Sequence, residues 1–301
     1  MSLGVLNNLN AMYAENYLNN TNNNLSSTLQ QLSSGSRINS GANDAAGLSL
    51  VDGLQANQTA LTQSGTNATE GVGLLQVADG ALSQVTNLLN RAVTLATEAS
   101  NGTLNTSQDA AANQEYQSIL SEINNIGSTT TYNGNQVFSG SAVNIYTGDS
   151  SSTSASIDAL TISTLSSKNV GDTGGQISYA AASGSPATIS YAVTGTQVSL
   201  SGTGLTSASN AQSALTSLNS AITAVAAQDG YVGSQINTLN AVSQVMSTQQ
   251  LNIASAQNAV QATDYAQASS NMSKYEILSQ TGISALAQAN SVQQEVTKLL
   301  Q

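Results

Sequence analysis

The chain has 301 residues, of which only 7% are charged, with Lys+Arg 5 against Asp+Glu 16, a net charge of −11, and no His, Cys or Trp. Five scattered cations (Arg37, Arg91, Lys168, Lys274 and Lys298) cannot neutralise a row of phosphates, which argues against nucleic acid and anionic membrane as partners. Without His or Cys, no Ser-His-Asp or Cys-His mechanism, HExxH zinc site or disulfide can be built.

Aromatic residues are scarce and the apolar content is mainly Ala, Leu, Val and Ile, a composition suited to narrow helix–helix seams. No stretch approaches the roughly 20 apolar residues that span a bilayer. The N-terminus lacks the basic n-region and continuous apolar run of a Sec signal peptide, so export, if it occurs, is expected by a specialised route.

Residues 1 to 34 read as an amphipathic helix. Leu18, Leu25 and Leu32 are seven apart, Leu29 fills the intervening position, and Leu3, Leu6, Leu9, Tyr13 and Tyr17 extend the stripe. Its other face is crowded with Asn, a weak helix former, so the segment is expected to order only when packed. SSGSRINSG from Ser33 to Gly41 breaks the helix, and Asn43 or Asp44 offers the next N-cap.

The rod that follows carries a seven-residue ladder, Leu54, Leu61, Ala68, Leu75, Leu82, Leu89 and Ala96, with Ala78, Val85, Ala92 and Ala99 at the complementary seam position. Asn101-Gly102 ends it. A third helix is expected from Gln108 to Ile126, with Tyr116, Ile119, Leu120, Ile123 and Ile126 on one face. TTTYNGNQVF, from Thr129 to Phe138, predicts a β-hairpin turning at Asn133-Gly134, because both residues tolerate the positive φ of a type I′ turn.

Residues 139 to 206 turn rich in Ser, Thr and Gly, with alternating runs IDALTISTL (157–165), QISYAA (176–181), TISYAV (188–193) and TQVSL (196–200), and the one proline, Pro186, in a turn-like GSPA. They read as a small inserted β-rich domain. Helical periodicity resumes near Ser207 with a second ladder, Leu218, Val225, Val232, Leu239, Met246, Ile253 and Val260, flanked by Leu215, Ile222 and Ile236. Asp229-Gly230 marks a bend or a close approach. A last helix from Asp264 carries Leu278, Ala285, Val292 and Leu299, with Ala289 and Val296 beside them.

The expected fold is mainly α: a long antiparallel coiled-coil bundle formed by both termini, with a hairpin and the β insert. The ladders match in extent, each about 60 Å as a helix. The chain is expected to divide into 1–43, 44–138, 139–206, 207–263 and 264–301, with the rod segments 44–138 and 207–263 side by side.

Candidate chemistry is thin. Gly71-Val72-Gly73 opens a GxGxxG whose third glycine is Gln76, inside a heptad pattern, so small seam residues are the better reading. No lysine has a serine three residues before it. Asp149, Asp158 and Asp172 lack a calcium-loop spacing, and Asp109, Glu115 and Glu122 read as a solvated helix face. No catalytic residue, cofactor or metal is expected. The amphipathic end helices instead imply a partner that buries their stripes, and identical copies are the simplest one.

The chain resembles bacterial flagellin at both ends. LQQLSSGSRINSGANDAAGLSL (29–50) is similar to the family's LSSGLRINSAKDDAAG signature, and ATDYAQASSNMSKYEILSQTGISALAQANSVQQEVTKLL (262–300) to its DADYA, SNMSK and LAQAN run. The resemblance implies a secreted filament subunit, exported unfolded by the flagellar type III system, in which residues 1–43 pair with 264–301 as an inner coiled coil. Leu18, Leu25, Leu29, Leu32, Leu278, Ala285, Val292, Val296 and Leu299 would serve self-assembly. Leu75, Leu82, Leu89, Leu218, Val225, Val232, Leu239, Met246 and Ile253 would pack the rod.

It also implies an export chaperone, a filament cap, hook-junction proteins and a Toll-like innate receptor as partners, the receptor contacts carrying over to Arg91, Leu95 and Glu115. Val93 and Thr94 depart from the family's second Arg and Glu, and rod positions that are basic in the family are Gln, Asn or Ala here. Two alternatives share the architecture: a hook–filament junction protein, and a filament subunit whose insert acts as adhesin or glycan carrier.

Overall fold

The computed structural model describes residues 8–148, 157–170, 176–180, 188–192 and 198–299. In chain order these form α1 (Leu9–Ser34), α2 (Ala45–Ser100), α3 (Thr106–Thr129), β1 (Thr131–Tyr132), β2 (Asn135–Gln136), β3 (Ala142–Tyr146), β4 (Ile157–Thr161), β5 (Gln176–Ala180), β6 (Thr188–Ala192), α4 (Ala208–Gln261) and α5 (Tyr265–Leu299). The chain divides into two compact units, residues 57–251 and residues 1–56 with 252–301.

In the unit 57–251 the α2 ladder is buried from Leu61 to Ala96, with Leu75, Leu82 and Leu89 fully covered. The complementary column is also buried at Ala78, Val85, Ala92 and Ala99, and it runs back to Ser64, whose hydroxyl donates to the Gly148 carbonyl at 2.6 Å. A Cβ on Gly71 would meet Leu239 at 3.0 Å and Ile145 at 3.2 Å, so the GVG motif marks a close helix approach and not a phosphate loop. On α4, Leu218, Val225, Val232, Leu239 and Met246 are buried as the ladder requires. Ile253, beyond this unit, is half-buried.

The flanking column on α4 differs from the sequence expectation. Leu215, Ile222 and Ile236 sit half-buried at the seam's edge, while Ala214, Ala221, Gln228 and Gln235 fill it. Two glutamines in a buried column escape a reading based on apolar spacing. Gln228 is accommodated because its amide donates to the Ser163 carbonyl at 3.3 Å. Nor does Asp229-Gly230 break α4: the helix is continuous, and a Cβ on Gly230 would meet nothing within 4 Å.

α3 begins at Thr106, slightly before the expected start, because Asn105 and Gln108 form a reciprocal capping box. Tyr116, Ile119, Leu120 and Ile123 are its buried face, whereas Ile126 is only half-buried. The hairpin turns at Asn133 (φ 50) and Gly134 (φ 79), pairing Thr131 with Gln136 and Tyr132 with Asn135.

In the 139–206 stretch, β3 pairs antiparallel with β4, Ala142 opposite Thr161 through Tyr146 opposite Ile157, and β5 pairs with β6. The sequence reading missed β3, a largely exposed strand whose alternation carries no buried face. Only the first part of IDALTISTL is strand. Ile162 and Leu165 are buried in irregular backbone, and the Leu165 carbonyl occupies the space a Cβ would need at Gly127 of α3. Residues 198–200 of TQVSL are not strand either; they hold to the 167–170 loop through Val170 N–H to the Val198 carbonyl and Leu200 N–H to the Ser167 carbonyl. Pro186 lies outside the described residues.

The other unit is built from α1, α5 and the adjoining turns of α2 and α4. Asn8 caps α1 by accepting from Ala11 N–H, and Gly35 closes it in the left-handed conformation (φ 70). Asp44, one of the two expected caps, accepts from Gly47 N–H at 2.8 Å to open α2. Asp264 does the same for α5, accepting from Ala266 and Gln267.

Candidate assembly surface

α1 and α5 pack antiparallel along their length. The Asn8 amide donates to the Ala289 carbonyl at 3.0 Å, Ser279 donates to Asn22 at 3.0 Å, and a Cβ on Gly282 would meet Leu18 at 3.2 Å. The α1 face used is Ala11, Ala14, Leu18, Thr21, Leu25, Thr28 and Leu32, all half-buried except the buried Thr28. On α5 it is Ala268, Met272, Tyr275, Ser279, Gly282, Leu286 and Ala289. The glycine lets the backbones approach where Leu18 crosses.

This pairing splits the expected assembly residues into two sets. Leu18, Leu25 and Leu32 face α5 of the same chain. Leu29, Leu278, Ala285 and Val292 do not, and they stand exposed. They join apolar side chains that seven-residue counting did not single out: Met12, Ile277 and Ile283, 61%, 67% and 52% exposed, and Tyr265. Leu9, Tyr13 and Tyr17, expected to continue the Leu18–Leu25 stripe, belong to the exposed set instead, Tyr17 being 72% exposed. Adjacent apolar pairs, Met12-Tyr13 and Ile277-Leu278, were the available signal, since one helix stripe cannot hold both members. Val296 and Leu299 lie in α5, outside the residues whose side chains are described.

Arg91, Leu95 and Glu115, the contacts the resemblance suggests for a receptor, lie in the unit 57–251. Arg91 of α2 donates through Nε to Glu115 of α3 at 2.7 Å, both side chains about half exposed. The Glu115 hydrogen bond and charge raise the guanidinium pKa further. Leu95 is 4% exposed and belongs to the core.

Elsewhere in that unit, Asp229 of α4 approaches Asp79 of α2. Burial first, then a hydrogen bond and the charge of Asp79, push the Asp229 carboxyl above the ordinary aspartate value. A shallow groove of about 430 Å³ between α2 and α4 is lined by Thr62, Gly65, Thr66, Thr69, Ser243, Met246, Ser247 and Gln250, without a titratable group. Among the described residues no group of three or more acidic or metal-ligating side chains converges, and no helix is long and apolar enough to cross a membrane.

One unit is a helical rod packed through heptad seams and the other a pair of helices with open apolar faces, the make-up of a helical structural protein. The bacterial flagellin N-terminal helical region family matches residues 5–143, and the bacterial flagellin C-terminal helical region matches residues 215–300. A flagellin of Listeria innocua is 28% identical over 294 residues, covering 97% of this chain and 98% of the relative. Polar flagellin C of Vibrio parahaemolyticus is 37% identical over 141 residues, covering 47% of this chain and 37% of the relative. The crystal structure of Bacillus cereus flagellin aligns with a TM-score of 0.45 at 25% identity, over 64% of this chain and 94% of that one.

The chain belongs to the bacterial flagellin family. It is a structural subunit of the flagellar filament, not an enzyme, and it polymerises with its own copies.

Proposed function

We propose that the exposed faces of α1 and α5 are the surfaces through which copies of this subunit stack along the filament. The observation that carries this reading is the run of large apolar side chains, from Leu9 to Tyr17 and from Tyr265 to Val292, left open after the two helices have packed together. Exposed large apolar side chains gathered on two helices mark an interaction surface. The subunit leaves the cell unfolded through the flagellar export channel, escorted by a chaperone, and adds beneath a cap at the tip of an extracellular filament anchored on hook-junction proteins. A chain with no Cys and a single Pro refolds there without disulfide exchange and with one X-Pro bond to isomerise.

The test is electron microscopy and sedimentation of concentrated protein carrying Ile277→Glu or Tyr17→Glu. Both side chains are exposed, so the folded monomer should change by no more than about 0.5 kcal/mol. Long filaments should be lost. Filaments of normal length from both variants would refute the assignment, and short rings from the wild type would favour the junction-protein reading. Of the residues proposed for a receptor contact, Arg91 and Glu115 are presented to solvent, while Leu95 is buried in the monomer. Receptor signalling retained by Arg91→Ala would remove that role.

A further inference from the structure

The two segments that connect end helices to rod helices run side by side, and one residue fastens them. Ser36 and Ala262 form an antiparallel β-bridge, with Arg37 N–H donating to the Gln261 carbonyl at 2.7 Å and Thr263 N–H to the Gly35 carbonyl at 3.1 Å. The Arg37 side chain adds a third link, Nη2 donating to the Val260 carbonyl at 2.9 Å. Arg37 thus satisfies two of the last four α4 carbonyls, which have no partner inside the helix, and places a cation where the helix dipole is negative. From the other side, the Gln31 amide of α1 donates to the Arg37 carbonyl at 3.2 Å, and Thr263 Oγ1 donates to the Gln31 carbonyl at 3.4 Å.

Around this link the packing is tight. Gly35 needs its positive φ, and a Cβ there would lie 2.8 Å from the Tyr265 hydroxyl, so the first turn of α5 sits directly over the end of α1. Ile38, next in the chain, is 3% exposed. With the backbone bridge and the guanidinium acting together, the exit directions of α1 and α5 are tied to the closing turn of α4.

We propose that Arg37 is a positioning residue for assembly: by capping α4 and bridging the two connectors, it holds α1 and α5 against the closing turn of α4 and so sets how their apolar faces are presented to the next copy. This rests on the filament reading above. Lysine has the charge but lacks the planar fork that lets one arginine nitrogen reach a carbonyl while its neighbours stay hydrated. Glutamine keeps a donor and loses the charge.

The experiment compares full-length wild type, Arg37→Ala, Arg37→Gln and Arg37→Lys in seeded filament growth, with hydrogen exchange measured on the filaments formed. Arg37→Ala should raise the critical concentration at least tenfold. In filaments grown above it, the amides of residues 37 and 263 should exchange at least tenfold faster, while those of Leu82 and Leu89 stay unchanged. Arg37→Lys should restore part of both effects and Arg37→Gln less. Unchanged exchange at 37 and 263 in Arg37→Ala filaments would overturn the fastening. Faster exchange with an unchanged critical concentration would overturn the positioning role while leaving the filament reading intact. A wild type that grows no filaments at all would instead overturn the filament reading, and the positioning role with it.

Discussion

The rod and the end pair are written in the same alphabet, Leu and Ala at heptad spacing against Asn, Gln, Ser and Thr, yet they bury it differently. In the rod, Leu75, Leu82, Leu89, Leu218, Val225 and Leu239 are completely covered. In the end pair the facing leucines, Leu18, Leu25 and Leu32, are only half-buried, and a second apolar face is open. The reason is geometric. α2 is packed by α4 and α3 and is met by Ile145, Tyr146 and Gly148, whereas two helices alone can cover only one stripe of each other. The rod seam is therefore covered within one chain, while the end pair keeps an open face, which the proposed stacking of copies would cover.

The comparison can be broken most directly with one substitution made in both places. Leu89→Ala should cost about 3 kcal/mol, the cavity being lined by a seam that cannot collapse, and lower the main thermal transition measured by circular dichroism. Leu29→Ala, 45% exposed, should leave that transition within about 0.5 kcal/mol and lower filament yield. Equal effects on the monomer would erase the distinction.

Asn105→Ala removes the capping box of α3 and should destabilise the rod by about 1 kcal/mol, read by chemical denaturation. The end pair has no stake in that cap, so assembly of the remaining folded protein should persist.

A smaller effect is expected from Asp229. Its folded-state pKa is raised, so the proton it shares with Asp79 stabilises the rod fully below the ordinary aspartate value and ceases to do so as pH rises through the raised one. Asp229→Asn, whose amide donates to Asp79 without a proton, should melt a few degrees higher than wild type at pH 7 and converge with it near pH 4. A constant offset across that range would contradict the shared proton. Smallest of all is the response to salt. Arg91 and Glu115 form the one ion pair among the described residues, and it is exposed, so raising NaCl at neutral pH should neither melt the rod nor dissociate filaments, as light scattering would record.

Much of this was legible in the residues. The helix breaks at Gly35 and Asn101-Gly102, the Asp44 cap, the Asn133-Gly134 hairpin and both ladders are local signals, each set by backbone preference or side-chain period within a few residues. The terminal motifs identified the family. What failed to show was whatever depended on a distant neighbour. Gln228 and Gln235 are seam residues because the packed rod gives them room and Ser163 supplies an acceptor for Gln228. β3 is a strand because β4 comes alongside it. Leu95, which the family resemblance offered as a contact residue, is buried in the monomer, and burial of that kind depends on what packs against α2.

The sequence by itself determined that there would be two long heptad helices and two amphipathic ends, because period and capping act locally and do not wait for packing, and its terminal motifs carried the resemblance to flagellin. Only the tertiary structure decided which of two apolar faces on each end helix is covered within the chain and which stays open, and that Arg37 ties the connectors together. Both choices depend on which segments meet across more than two hundred residues of chain, and no local preference encodes that.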